Sequence, residues 1–231
     1  MHFLQITTTD SLSAATDSLA AQNSVSLLDL TLKGGLMMIP IFILSIMAIY
    51  IFIERMLIIR KASQNPSVLM ERIKSLVLNG DIVSARLLCS QTDTPIARML
   101  EKGVSRIGSP LKNIEVSIEN VGKIEIYNLE KNLSLLATVS GAAPMVGFLG
   151  TVTGMIQAFI AIAQEEGSVS PKLLSSGIYE AMITTAAGLI VGIIAYLAYN
   201  YLVAQVAKII YKMEYTSIEF IDLLQEPEKV R

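Results

Sequence analysis

The stretch GGLMMIPIFILSIMAIYIFI, from Gly34 to Ile53, contains no charged residue. A hydrocarbon core about 30 Å thick is crossed by about 20 apolar helical residues, so this run is long enough to span a membrane. A second uncharged run, NLSLLATVSGAAPMVGFLGTVTGMIQAFIAIAQ, extends from Asn132 to Gln164. A third lies between Lys172 and Lys208 and is interrupted only by Glu180. A buried helix of a soluble protein explains one such run but not three, so the sequence predicts an all-α integral membrane protein with three transmembrane helices.

The composition argues against several classes of function. Charged residues make up 16% of the chain, against about 25% in soluble domains. The net charge of −2 gives no support to nucleic-acid binding. One cysteine, Cys89, and one histidine, His2, cannot form an internal disulfide, a cysteine- or histidine-based metal site or a histidine-based catalytic triad within one chain. We therefore predict no enzyme activity, no catalytic residue, no metal and no cofactor.

Lysine and arginine set the expected orientation, because they accumulate on the cytoplasmic side of a membrane. Lys33 alone lies directly ahead of the first run, whereas Arg55, Arg60 and Lys61 follow it. The N-terminus is thus predicted outside and the C-terminus in the cytoplasm. The predicted segments are an external N-terminal segment 1–33, transmembrane helix 34–58, a cytoplasmic helical domain 59–131, transmembrane helix 132–164, an external loop 165–172, transmembrane helix 173–207 and a cytoplasmic tail 208–231.

Turn-forming residues divide the cytoplasmic part into short helices. They are Asn65-Pro66, Asn79-Gly80-Asp81, Asp93-Thr94-Pro95 and Gly108-Ser109-Pro110. No proline occurs from Lys112 to Ala143, so we expect the second transmembrane helix to continue a long helix below the membrane.

Small residues recur in the second and third runs. Gly150 and Gly154 form a GxxxG pair, as do Gly188 and Gly192. In lipid, small residues allow helix backbones to approach closely, so we predict that these glycines pack helices together within or between subunits. Pro144 removes one helical hydrogen bond and is expected to kink the second transmembrane helix.

Polar residues interrupt the same two runs: Thr151 and Thr153 in the second, and Glu180, Thr184 and Thr185 in the third. A threonine can satisfy its hydroxyl on a carbonyl of its own helix, and Glu180 could sit at the water boundary or pair with a lysine. The alternative is an ion path lined by these five side chains, since an intramembrane carboxylate turns away from lipid. Threonines do not titrate in a useful range, so a proton path here needs a carboxylate from a partner.

Two blocks resemble the MotA/TolQ/ExbB proton-channel family, most closely its ExbB/TolQ branch. They are APMVGFLGTVTGMIQAFIAIA (143–163) and GIYEAMITTAAGLIVGIIAYLAYN (177–200). The predicted topology, with one large cytoplasmic part between the first two spans, is similar as well. Thr151 matches the family's pore threonine of span two, Thr185 the span-three threonine that faces the partner's aspartate, and Glu180 the glutamate five positions earlier. Thr184 stands where the family usually has a small apolar residue.

The resemblance implies a homopentamer in the bacterial inner membrane, with spans two and three around a central pore. The pore would hold the transmembrane helices of a single-span ExbD/TolR-like partner. Proton flow would drive rotation and pass work to a TonB-like or TolA-like protein, in the ExbB case for transport across the outer membrane.

The ExbB-like role is the leading interpretation, and the residues leave several alternatives open. A TolQ-like role in envelope integrity and cell division, a gliding motor, and sodium instead of protons are alternatives to the ExbB-like role. A membrane scaffold that does not conduct ions is a further alternative.

Overall fold

The computed structural model describes residues 34–63, 66–164 and 171–225. Its regular structure in these ranges is entirely α-helical. The predicted external segment 1–33, most of the external loop 165–172 and the end of the tail lie outside them. The helices are α1 (Met38–Ala62), α2 (Pro66–Leu78), α3 (Ile82–Gln91), α4 (Pro95–Val104), α5 (Leu111–Glu130), α6 (Leu133–Gln164) and α7 (Pro171–Gln225).

Three helical stretches are long and apolar enough to cross a membrane. They lie within the ranges Met38–Leu78, Leu111–Gln164 and Ser175–Gln225. This confirms, for the part of the chain that the structure describes, an all-α protein with three candidate membrane-spanning helices.

The described residues divide into two compact units. The first unit contains residues 34–40, 146–164 and 171–188, and therefore holds the beginning of α1, the second part of α6 and the first part of α7. The second unit contains residues 41–63, 66–145 and 189–225.

Short turns separate α2, α3, α4 and α5 where the sequence predicts them, at Asn79-Gly80-Asp81, Asp93-Thr94-Pro95 and Gly108-Ser109-Pro110. Residue 65 of the predicted turn Asn65-Pro66 lies outside the described residues. Gly80 adopts a φ of 74°, a conformation that glycine takes without steric cost. The next residue, Asp81, caps α3 by accepting a 3.0 Å hydrogen bond from the Ser84 N–H. Thr94 caps α4 by accepting a bond from the Ala97 N–H. These caps satisfy N–H groups that have no partner in the first turn of a helix.

Part of the hydrophobic core of the second unit lies where α4, α5 and α7 meet. A Cβ on Gly103 of α4 would be 2.7 Å from side-chain carbons of both Ile118 in α5 and Phe220 in α7. Ile118 and Phe220 are completely buried. Helix α4 also packs on α3, and α3 on α2. The short helices predicted between the first two membrane spans therefore pack on one another through apolar side chains.

The helix expected to continue through 112–143 is interrupted at two residues. Lys131 has a ψ of 138° and leaves the helical conformation, and Asn132 has a φ of 64°, a region in which asparagine is enriched. The buried Arg55 of α1 donates a 3.0 Å hydrogen bond to the carbonyl of Asn128, in the last turn of α5. Glu54 accepts bonds from Arg55 at 2.7 Å and from the Asn132 amide at 3.3 Å. Side chains of α1 thus hold the ends of α5 and α6 at this break.

A cluster of ion pairs joins the end of α1 to α4 and α5. Arg98 donates two hydrogen bonds, of 2.8 and 2.7 Å, to the buried carboxylate of Glu125. This bidentate contact raises the pKa of Arg98 above its ordinary value. Asp93 pairs with Lys61 and with Arg98, and the hydrogen bond from Lys61 lowers the pKa of Asp93. The pairing keeps the Glu125 carboxylate compensated although it is removed from water.

The thiol of Cys89 lies inside this helical part. Its side chain is 1% exposed, and burial, assisted by the charge of Glu101, raises the pKa of Cys89 to about 11. Since the thiolate is the reactive form of cysteine, the folded protein keeps its single cysteine inert.

We expect the folded protein to react slowly with a maleimide at pH 8 and to react rapidly once it is denatured. A Cys89→Ala/Ser90→Cys variant moves the thiol one residue along α3 to an exposed position and should label quickly without denaturant. The measurement is the labelled fraction against time by mass spectrometry. Fast labelling of the unsubstituted folded protein would contradict the burial of Cys89.

Candidate functional site

Helices α6 and α7 approach each other closely in the first unit because glycines line their contact. A Cβ on Gly147 would be 2.9 Å from the carbonyl oxygen of Thr184 and 3.2 Å from the Cα of Gly188. A Cβ on Gly154 would be 3.1 Å from the Cβ of Ala181, and Gly177 faces Ala158 in the same way. Such spacing brings backbone against backbone, so side chains of modest length can bridge the two helices.

Thr151 of α6 and Thr185 of α7 meet across this contact. Their hydroxyl oxygens are 2.7 Å apart. The Thr185 hydroxyl also lies 2.9 Å from the carbonyl oxygen of Gly147, on the opposite helix. Both threonines are half-buried. A pair of hydrogen-bonded hydroxyls therefore connects α6 to α7.

The two hydroxyls can be hydrogen-bonded in either direction, because each has one proton to donate and can accept as well. In one arrangement Thr151 donates to Thr185, and Thr185 donates to the carbonyl of Gly147. In the other, Thr185 donates to Thr151, and Thr151 donates to the carbonyl of Phe148 at 2.9 Å. In the two arrangements the hydrogen bonds run in opposite directions. A series of hydroxyls that passes protons along must be able to reverse its hydrogen bonds in this way.

Thr184 occupies a different place from its neighbour Thr185. Its side chain is 1% exposed and lies against Gly150 of α6, where a Cβ would overlap the Thr184 hydroxyl. The hydroxyl donates to carbonyls of its own helix, the nearer being that of Ala181 at 2.9 Å. Thr184 thus fills the space that Gly150 leaves open.

Thr153 is not brought to the threonine pair. Its hydroxyl lies 3.0 Å from the carbonyl of Leu149 and 3.1 Å from that of Gly150, both on α6. The Thr153 hydroxyl is therefore satisfied within its own helix. From the sequence, this was the alternative to a role in lining an ion path.

The half-buried Glu180 of α7 lies beside the turn that precedes α1. A Cβ on Gly35 would overlap the Glu180 carboxylate. Among the described residues, no hydrogen bond joins this carboxylate to Thr151 or Thr185. Glu180 and the threonine pair therefore form two separate polar sites in the first unit.

Of the other predicted packing residues, Gly192 and Pro144 meet in the second unit. A Cβ on Gly192 would be 2.5 Å from Cγ of the Pro144 ring and 3.1 Å from the carbonyl oxygen of Ser140. Pro144 lies inside α6, which continues through it.

Two residues of the site were not predicted from the sequence. Gly147 supplies the carbonyl that Thr185 contacts, and Gly35 makes room for Glu180. Gly147 lies four residues before Thr151, hence one helical turn away on the same face. That spacing is a signal that could have found it.

No metal site accompanies these residues. The described part of the chain holds no group of three or more histidine, cysteine, aspartate or glutamate side chains that could bind a metal ion.

Comparison with known proteins places both threonines inside a matched region. Residues 91–215 match the MotA/TolQ/ExbB proton channel family. An ExbB-like biopolymer transport protein of Synechocystis is 33% identical over 84% of this chain and 77% of its own length. An ExbB homologue of Methanothermobacter thermautotrophicus is 27% identical over 82% of this chain and 67% of its own length. The Tol-Pal system protein TolQ of Haemophilus influenzae is 41% identical over a third of each chain.

Proposed function

Because this chain belongs to the MotA/TolQ/ExbB proton channel family, we propose that it is the proton-channel subunit of an ExbB-like, energy-transducing motor in the bacterial inner membrane. The observation that carries the proposal is the hydrogen-bonded pair of Thr151 and Thr185. The pair lies among glycines that bring the backbones of α6 and α7 close together, and its hydrogen bonds can run in either direction. The channel uses the proton motive force, and Thr151 and Thr185 are its relay.

A relay of hydroxyls needs a group that takes up and releases protons. In the described residues of the first unit, Glu180 is the only carboxyl group, and its carboxylate lies at Gly35 and not at the threonines. We propose that the missing carboxylate belongs to an ExbD/TolR-like single-span protein whose transmembrane helix lies beside the pair. Glu180 then serves the outer end of the path, Thr184 packs beside the relay against Gly150, and Thr153 lines the path away from the pair.

The pore itself is formed by an assembly. We propose a homopentamer in which spans 132–164 and 173–207 surround a central pore, and in which span 34–58 faces lipid. The large apolar side chains exposed along α1 fit a lipid-facing surface: Phe42, Ile46, Ile49 and Ile53. The distribution of lysine and arginine supports a periplasmic N-terminus and a cytoplasmic C-terminus.

The work of the motor passes to a TonB-like protein and energises transport across the outer membrane. A TolQ-like role in envelope integrity is a second candidate, favoured by the 41% identity to TolQ within 76 aligned residues.

Reconstitution tests the channel function. The chain is co-purified with an ExbD-like protein from the same cell and placed in liposomes that contain a pH-sensitive dye. We expect proton flux down an imposed pH gradient from the complex, and five copies of this chain in its native mass spectrum. A sodium gradient imposed at equal pH should produce no flux of either ion. A complex that assembles and carries no protons would contradict the proposal and would favour the non-conducting scaffold.

A further inference from the structure

The chain makes a tight turn just before α1. Gly35 has a φ of 62°, and its carbonyl accepts a 3.2 Å hydrogen bond from the Met38 N–H as α1 begins. Residues other than glycine rarely adopt this backbone conformation. Glycine is thus favoured at position 35 by conformation alone.

A second constraint on Gly35 comes from α7. The Glu180 carboxylate occupies the place where a Cβ of residue 35 would be. The adjacent Gly34 faces the same helix, since its Cβ would be 3.3 Å from the Ile183 side chain. Glu180 and Ile183 are three residues apart and share one face of α7. The turn at residues 34–35 therefore covers this face at its outer end.

Two other glycines show what the turn alone would require. Gly80 and Gly108 have φ values of 74° and 96°, and a Cβ on either would meet nothing within 4 Å. Their positive φ alone explains why glycine occupies these two positions. Among these three positive-φ glycines, Gly35 is the one at which the missing side chain also makes room for an ionisable group.

The position suits a carboxylate electrostatically. The first turn of a helix presents N–H groups without helical partners and carries a partial positive charge. Glu180 lies beside the backbone that leads into the first turn of α1, so its charge is attracted to that end of the helix. A half-buried carboxylate without such compensation would be costly within a membrane.

We propose that Gly35 is a positioning residue for Glu180. The turn at residues 34–35 holds the carboxylate in place and makes the first transmembrane helix part of the outer mouth of the ion path. This rests on the proposed channel function, and it extends the path beyond the second and third spans. A side chain at position 35 displaces the carboxylate and impairs proton entry, although the relay at Thr151 and Thr185 is untouched.

The test compares Gly35→Ala with Gly80→Ala in the reconstituted complex, with native mass spectrometry to measure assembly. Both substitutions strain a positive-φ turn, but only the first meets Glu180. We expect Gly35→Ala to lower proton flux about tenfold or more and Gly80→Ala to leave it unchanged. Combining Gly35→Ala with Glu180→Asp, which shortens the acid by one methylene, should restore flux above that of Gly35→Ala alone.

Equal flux in Gly35→Ala and Gly80→Ala would overturn the inference, as would a failure of Glu180→Asp to restore any flux. If Gly35→Ala prevents assembly, recovery of assembly with Glu180→Asp supports the inference, and its absence overturns it. Normal flux in Gly35→Ala together with loss of flux in Thr185→Val would leave the channel function standing without the Gly35 contact. Absence of flux from the unsubstituted complex would remove the channel function itself.

Discussion

Replacement of Thr185 by valine is expected to lower proton flux through the assembled complex by about a hundredfold or more, the scale on which removing a positioned proton-transfer group acts. Valine nearly matches threonine in shape but has no hydroxyl. The substitution removes the 2.7 Å contact with Thr151 and the 2.9 Å contact with the Gly147 carbonyl. Losing such neutral hydrogen bonds costs about 1 kcal/mol each, so the complex should still assemble.

Three variants separate a relay from a general effect of losing a hydroxyl. Thr185→Ser keeps the hydroxyl and should conduct. Thr138→Val removes a hydroxyl of α6 that donates only to the Ser134 carbonyl of its own helix, and it should leave flux unchanged. Thr151→Val should fail like Thr185→Val, and the double variant should be no worse than either, because the two groups act as one unit. Wild-type flux in Thr185→Val would show that the pair only packs helices.

Hydropathy was sufficient to predict the three apolar helices, and turn chemistry was sufficient to predict the divisions at Gly80, Thr94 and Gly108. The residue that ends the long helix was harder to predict, since Asn132 is neither glycine nor proline. Its side chain donates to Glu54 of α1, and Arg55 of α1 donates to the Asn128 carbonyl, so residues far apart in sequence meet at this break. Local pattern carries no information about such a contact.

The candidate site shows the same limit. Thr184 and Thr185 are neighbours on α7. The sequence does not indicate which of the two hydroxyls contacts a polar group of α6. The structure separates them through the glycines opposite: Thr184 packs on Gly150, and Thr185 reaches Thr151 and Gly147. The threonines could be read from the sequence as polar residues in apolar helices, but their pairing depends on the distance between two backbones. The roles of these residues in conduction stay predictions.

The close approach of α6 and α7 predicts which glycine-to-alanine substitutions destabilise the complex most. Alanine stabilises an exposed helix by about 1 kcal/mol relative to glycine, whereas overpacking costs about 1–3 kcal/mol. At Gly141 a Cβ meets nothing within 4 Å, so Gly141→Ala should be neutral or slightly stabilising. At Gly150 the Cβ meets the Thr184 side chain, and at Gly147 it meets backbone atoms. We expect Gly147→Ala to be the most damaging, because backbone atoms cannot rotate away.

The thermal midpoint of the detergent-solubilised complex measures this order, and an exchange of sizes tests its cause. The obstacle to Gly150→Ala is the Cβ, Cγ2 and hydroxyl of Thr184, all of which Thr184→Gly removes. The combined variant should therefore recover most of the stability that Gly150→Ala loses. No side-chain substitution should rescue Gly147→Ala, since its Cβ meets the Thr184 carbonyl oxygen and the Cα atoms of Thr185 and Gly188. If all three alanine variants have the same thermal midpoint, the two helices are not held at the distance that brings Thr151 to Thr185. The proposed relay would then lose its geometric basis.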